Sequence, residues 1–286
     1  AVEPRLSAVF TLRKTLRLTH AFGVAQQPPS FIVPIPGLQI SGLNQGLQRS
    51  LQSSASVEWD LPPDVTASGT LFQNAYFNLT DQLSNVNQPN SGDNIIPNQR
   101  SRGHTLGAEL LIRRSFSQRV GGLLAYTLSK SWRTVDGERH AAAFDRRHVL
   151  QAALAFNLGR HWRSSIRTVV YSGVPSQAEQ ESYFGGNTAS PSGGNVGPEN
   201  AVNAANATAR QDPDRLPRTP AFYRLDLRLQ KRWPVGNRGA YWAMTFEMLN
   251  ATLNREVVSQ SCSSRSCRAE RFGPVTVPSI GVEAVY

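Results

Sequence analysis

The sequence has no apolar run close to the roughly 18 residues that a spanning helix needs. That excludes a helical membrane protein and leaves a membrane barrel open. Cysteine is scarce, with only Cys262 and Cys267 in the polar segment SQSCSSRSCRAE, so a disulfide-stapled scaffold is excluded. The pair itself allows a short-loop disulfide or two free thiols. No histidine or further cysteine lies beside it to complete a metal site, and neither a metal nor a cofactor is expected. Concentrated basic charge is also missing. The net charge is +10, yet lysine and arginine occur singly or in pairs, without the run or recognition helix that would place them on nucleic acid. Nucleic acid is therefore not an expected partner. Ala1 already sits within a strand-like pattern with no leader or methionine before it, so the 286 residues are expected to be part of a longer chain.

Alternation of apolar and polar residues dominates, and sustained helical periodicity is nearly absent. In Phe222–Trp233 one face carries Tyr223, Leu225, Leu227, Leu229 and Trp233, and the other Arg224, Asp226, Arg228, Gln230 and Arg232. Leu51–Leu61 repeats the split, with Leu51, Ala55, Val57, Trp59 and Leu61 opposite Gln52, Ser54, Ser56, Glu58 and Asp60. From Leu106 to Phe116 the even positions Leu106, Ala108, Leu110 and Ile112 are apolar, while Glu109 and Arg113 take odd ones. In Ala240–Met248 the row Trp242, Met244, Phe246, Met248 opposes Glu247.

Connections alternate in length. Short turns fall near Arg13–Lys14, Pro62–Pro63, Ser117–Gln118, Gly159–Arg160 and Pro234–Gly239, and long polar segments near 24–48, 79–103, 133–146, 173–219 and 251–276. An antiparallel meander puts all short turns at one end and all long loops at the other, the asymmetry of outer-membrane barrels. Several strand patterns run to about 10 residues, long for a sandwich and suited to a tilted bilayer crossing. The five tryptophans, Trp59, Trp132, Trp162, Trp233 and Trp242, lie toward strand ends, as interfacial girdles do. The expectation is an all-β, up-and-down transmembrane barrel of about eleven strands in one domain, 1–286. The terminal segment PSIGVEAVY, with Ile280, Val282, Ala284 and Tyr286 on one face, has the form of a barrel-assembly signal.

Together AFGVAQQPPS, LLAYTLSKSW, FDRRHVLQAALAFNLGRHW, YSGVP, YRLDLRLQKRW, MLNATLNRE and PSIGVEAVY resemble, in order, the C-terminal part of a TonB-dependent outer-membrane receptor. The resemblance implies the second half of a 22-stranded wall, without plug domain or first barrel half. It further implies residence in the outer membrane of a Gram-negative bacterium and energised uptake of a scarce nutrient: siderophore, cobalamin, carbohydrate or peptide. The implied partners are membrane lipid, a plug and the TonB energy-coupling complex in the complete protein, the barrel-assembly machinery, and an unidentified extracellular ligand. An independent small barrel acting as surface enzyme, adhesin or pore is the alternative.

Asp145 and His148 raise the enzymatic reading. If a strand starts near Arg147, however, His148 joins the lipid-side row of Leu150, Ala152, Leu154 and Phe156, and no second Asp/His pair stands near as general acid or base. The expectation is no catalysis, with Asp145 pairing Arg146 or Arg147 at a strand start. The better functional candidates are the residues phased toward a lumen: Glu58, Glu109, Arg113, Arg147, Arg167, Arg224, Asp226, Arg228 and Glu247.

Overall fold

A computed structural model describes residues 2–28, 46–79, 101–116, 119–135, 138–175, 218–236, 240–262 and 267–285. Period-2 patterning becomes strand throughout, and no helix occurs among the described residues. The strands are β1 (Arg5–Arg13), β2 (Leu16–Gln27), β3 (Gln48–Leu61), β4 (Val65–Leu79), β5 (Ser101–Arg114), β6 (Val120–Val135) and β7 (Glu138–Ala141). They continue with β8 (His148–Gly159), β9 (Trp162–Tyr171), β10 (Phe222–Val235), β11 (Ala240–Leu249), β12 (Glu256–Cys262), β13 (Cys267–Phe272) and β14 (Val277–Val285).

Eleven of them form one antiparallel path, β1-β2-β3-β4-β5-β6-β8-β9-β10-β11-β14, with β7 attached to β6. Strands on this path run from 9 residues in β1 to 16 in β6, enough for a tilted bilayer crossing. The segments expected as plain loops at 133–146 and 251–276 need correction: the first holds β7, and the second the separate hairpin β12–β13. Both are short and polar, so they offer no hydrophobic period to read. The expected loops at 24–48, 79–103 and 173–219 fall largely outside the described residues, and the strands reach further into them than the pattern indicates, β2 to Gln27 and β4 to Leu79.

Directly paired residues share a face of an antiparallel sheet, so register carries the two-face assignment from strand to strand. One row passes Leu18↔Val57, Val57↔Gly69 and Gly69↔Leu110. It goes on through Leu110↔Tyr126, Tyr126↔Leu150 and Leu150↔Val170. Farther on, Leu229↔Phe246 and Phe246↔Ile280 carry the same face to the last strand. Among the described residues nothing covers this apolar face: Leu71, Ile280 and Val282 are 66%, 67% and 69% exposed. An exposed apolar surface extending over eleven strands far exceeds the few hundred Å² that a soluble monomer shows. Trp59, Trp162, Trp233 and Trp242 all lie on it at the short-turn end, Trp233 opposite Trp242, and Trp132 lies on it at the long-loop end.

The sheet is open. Among the described residues β1 pairs only with β2, and β14 only with β11. Because the path has an odd number of antiparallel strands, β1 and β14 run in the same direction.

The β8–β9 turn shows how the short end is made. Gly159 pairs with Trp162 across a two-residue loop in which Arg160 and His161 both have positive φ, 50° and 67°. That is the type I′ geometry whose twist matches the strands, occupied here by two residues with a Cβ penalty in that region. Replacing them by Arg160→Asn and His161→Gly is expected to stabilise the sheet by about 1 kcal/mol, measured as a higher midpoint in urea unfolding from detergent.

Candidate functional site

The polar face holds Glu58, Glu109, Arg113, Arg167, Arg224, Asp226, Arg228 and Glu247, and Arg147 directly precedes β8. Arg17 pairs with Glu58 and reaches Asp60 at 3.3 Å near the short-turn end, where Thr66 also donates to Asp60 at 3.1 Å. Glu109 stands between Thr70 and Thr127, and Arg113 between Thr66 and Leu123. Arg167 lies between Ala153 and Asp226, while Arg228 and Glu247 form a cross-strand pair at 3.0 Å. These pairs are partly exposed, so each contributes at most about 1 kcal/mol. Their collective effect is a wet, charged wall. Leu111, Leu123 and Val169 share the face, so it is mixed rather than purely polar.

Three of the phased residues have closer work at the long-loop end. Asp226 forms an ion pair with Arg224 at 3.1 Å and accepts a hydrogen bond from the Asn250 backbone amide at 2.9 Å, tying the start of the 250–276 connection to β10. Asn250 is itself buried, and its side-chain amide donates to the Asn254 carbonyl at 2.9 Å. Arg147 approaches Asp145 at 3.5 Å.

Asp145 is the centre of this end. It is only 1% exposed, and a buried carboxylate must be paired and hydrogen-bonded to persist. Its partners converge from three directions. The Ser131 amide donates to Oδ1 at 2.7 Å, the Arg218 guanidinium bonds Oδ2, and Arg218 also donates to the Asp145 carbonyl at 2.6 Å and the Gly173 carbonyl at 3.2 Å. Arg218 is the partner that sequence reading missed. Arg146, expected as an alternative partner, turns instead to Glu256 at 3.3 Å and lies 3.8 Å over the Tyr171 ring, whose hydroxyl donates to the same Glu256 oxygen at 2.6 Å.

Arg218 closes the neck of the 176–217 segment. Pro175 and Arg218 form a β-bridge, and the Thr219 amide donates to the Val174 carbonyl at 2.9 Å. The approach is so tight that a Cβ on Gly173 would stand 1.5 Å from the Thr219 carbonyl oxygen. Asp145, Arg218 and Glu256 therefore bind the bases of three long connections to one another.

The geometry does not assemble an acid/base pair. His148 faces the apolar side, its Nδ1 at 2.8 Å from the Tyr126 hydroxyl, while Asp145 is enclosed by arginines on the other. Among the described residues no three His, Cys, Asp or Glu side chains converge. Cys262 and Cys267 are opposed in the β12–β13 register; their side chains lie outside the described residues. Ile280, Val282 and Ala284 pair with Phe246, Met244 and Trp242 on the apolar face, and Tyr286 is outside the described residues.

Residues 1–254 match the family model described as TonB dependent receptor-like, beta-barrel. No curated protein matches the sequence. Similar solved structures include the ferric-catecholate import receptor Fiu from K12 E. coli, 13% identical with a TM-score of 0.59, covering 98% of this chain and 34% of that one. The ferric yersiniabactin uptake receptor FyuA from Yersinia pestis is 14% identical, with a TM-score of 0.59 and coverage of 99% and 37%. FpvA of P. aeruginosa, in a ferric pyoverdine complex, is 10% identical, with a TM-score of 0.63 and coverage of 99% and 33%. At these identities the likeness is one of fold, and the chain spans about a third of each receptor's length.

The Asp145 junction makes a specific prediction. Arg218→Ala leaves a buried carboxylate without its main partner and is expected to destabilise by about 3–5 kcal/mol, whereas adding Asp145→Ala to that variant recovers part of the loss. Thermal loss of the folded gel band measures both.

Proposed function

The chain belongs to the TonB-dependent receptor-like β-barrel family, and from that premise we propose that it forms wall strands of an outer-membrane receptor for energised uptake of a scarce nutrient. The observation that carries this reading is the two-faced path of eleven strands, one face of exposed apolar side chains and the other charged, the pattern of a wall between lipid and a watery lumen. It is a transport-receptor barrel, not an enzyme. The direction of the edges supports a shared wall. A copy of the chain in the same membrane orientation could meet β1 or β14 only in parallel, whereas bacterial single-chain barrels close with an even number of antiparallel strands. Other strands, beginning and ending in the opposite direction, are proposed to complete it.

Within that receptor the loop bases pinned by Asp145, Arg218 and Glu256 hold the capture surface, because recognition sits on loops carried by a rigid frame. Glu58, Glu109, Arg113, Arg147, Arg167, Arg224, Asp226, Arg228 and Glu247 are proposed to face a plug and the substrate path. Ferric siderophores are the ligand class to test first, since the fold is that of receptors for ferric chelates. The residues themselves do not choose among nutrients. Ile280, Val282, Ala284 and Tyr286 are proposed as the assembly signal.

Cells carrying the complete receptor as their sole importer are expected to accumulate radioiron from at least one ferric chelate only when TonB is intact. Accumulation indifferent to TonB would sink the receptor reading; TonB-dependent uptake of cobalamin or a sugar instead would change only the ligand class. Arg224→Ala with Arg228→Ala is expected to lower that uptake, and unchanged uptake removes these two from the path. Cys262 and Cys267 are proposed to form a disulfide across the β12–β13 hairpin. A maleimide reagent should then label neither cysteine until reductant is added, and labelling without reductant defeats the pairing.

A further inference from the structure

Register separates the charges of the eleven strands by sign as well as by face. All six acidic residues, Glu58, Asp60, Glu109, Asp226, Glu247 and Glu283, fall on the polar face. On the apolar face the ionised side chains are cations only: Arg49, Arg102 and Lys130 toward the long-loop end, and Arg13, Arg114 and Lys231 toward the short-turn end. A charge directed toward lipid costs several kcal/mol near the bilayer centre. At the rim the same charge is favourable only where an opposite charge meets it, so a cation-only rim matches a surface of anionic headgroups.

The cations are densest on β5, β6 and β7. Arg102 is level with Thr134, and Thr134 with Arg139, so the two arginines flank one strand on the same face. At a strand spacing of about 4.8 Å their Cα atoms are about 10 Å apart, close enough for two long side chains to reach one phosphate. Both are exposed. One step nearer the sheet centre, Trp132 stacks on His104 with ring centroids 5.7 Å apart, and the Arg139 guanidinium lies 5.2 Å from the Trp132 ring. The ring holds that guanidinium by cation–π attraction, and tryptophan at the end of a spanning strand marks the headgroup level.

We propose that Arg102 and Arg139, beside Trp132 and His104, form a docking site for the phosphate of an anionic lipid in the leaflet on the long-loop side. The planar guanidinium donates two hydrogen bonds to phosphate oxygens, and Lys130, deeper on the same face, adds positive charge beneath the headgroup. The proposal rests on the reading that the apolar face meets lipid.

The complete receptor is purified in non-ionic detergent, offered phosphatidylglycerol or zwitterionic phosphatidylcholine, and its bound lipids are counted by native mass spectrometry. Phosphatidylglycerol is expected to be retained selectively. Arg102→Ala with Arg139→Ala should reduce retention on the order of tenfold, and Arg102→Lys with Arg139→Lys should restore most of it. Arg13→Ala with Arg114→Ala, at the other rim, should leave it within about twofold of the parent. Equal retention by the alanine pair, or equal loss from the opposite rim, overturns the site. Displacement of the lipid by inorganic phosphate at equal concentration reassigns the patch to free anion and also overturns it. Flotation with phosphatidylcholine vesicles separates the two readings: a receptor that floats without headgroup selectivity loses only this site, and one that does not float loses the membrane reading with it.

Discussion

Backbone hydrogen bonding is the constraint on which this molecule depends. In hydrocarbon an unpaired amide or carbonyl has no water to turn to, and each one costs several kcal/mol. A strand cannot satisfy these groups internally, so each must lie between two others. Among the described residues the continuous ladder from β1 to β14 meets that demand at nine interior strands and shows no partner at the two edges. Strand length and the all-strand path of the described residues both matter because of this requirement.

Once the ladder is fixed, the pleat decides where charge goes. Side chains alternate across the sheet, so one residue of slip would carry Glu247 and Arg228 onto the apolar face and Phe246 and Leu229 onto the charged one. Register is therefore locked by the cost of misplacing charge more than by the modest attraction within pairs such as Arg228–Glu247. The retention of acids on one face and the tolerance of cations on the other follow from the same balance, since basic stems can lift their heads to a phosphate-rich rim.

The long-loop end obeys a different rule. There the backbone leaves the ladder, and side chains must replace its hydrogen bonds. Asp145 and Asn250, both nearly inaccessible, do so: the Asp145 carboxylate accepts from the Ser131 backbone amide in β6, and the Asn250 side chain donates to the Asn254 carbonyl. The arginines Arg147 and Arg218 neutralise the one buried carboxylate.

Period-2 alternation in segments such as Leu51–Leu61 and Phe222–Trp233 was enough to establish strands, their two faces, the turn polarity and the placement of His148 away from any base. These properties follow from local chain geometry, because side-chain direction in a strand depends only on parity. The short elements β7, β12 and β13 carry too few residues for a period, and they stayed hidden. So did Arg218: it is 73 positions from Asp145 in the chain, and nothing local distinguishes it from the other arginines. Its partner was chosen by the neighbouring of β6, β8, β9 and β10, which brings three loop bases to one point. The sequence alone thus determined which residues share each face of the sheet, whereas the tertiary structure decided which charges meet, because meeting depends on strand order and register across the whole sheet.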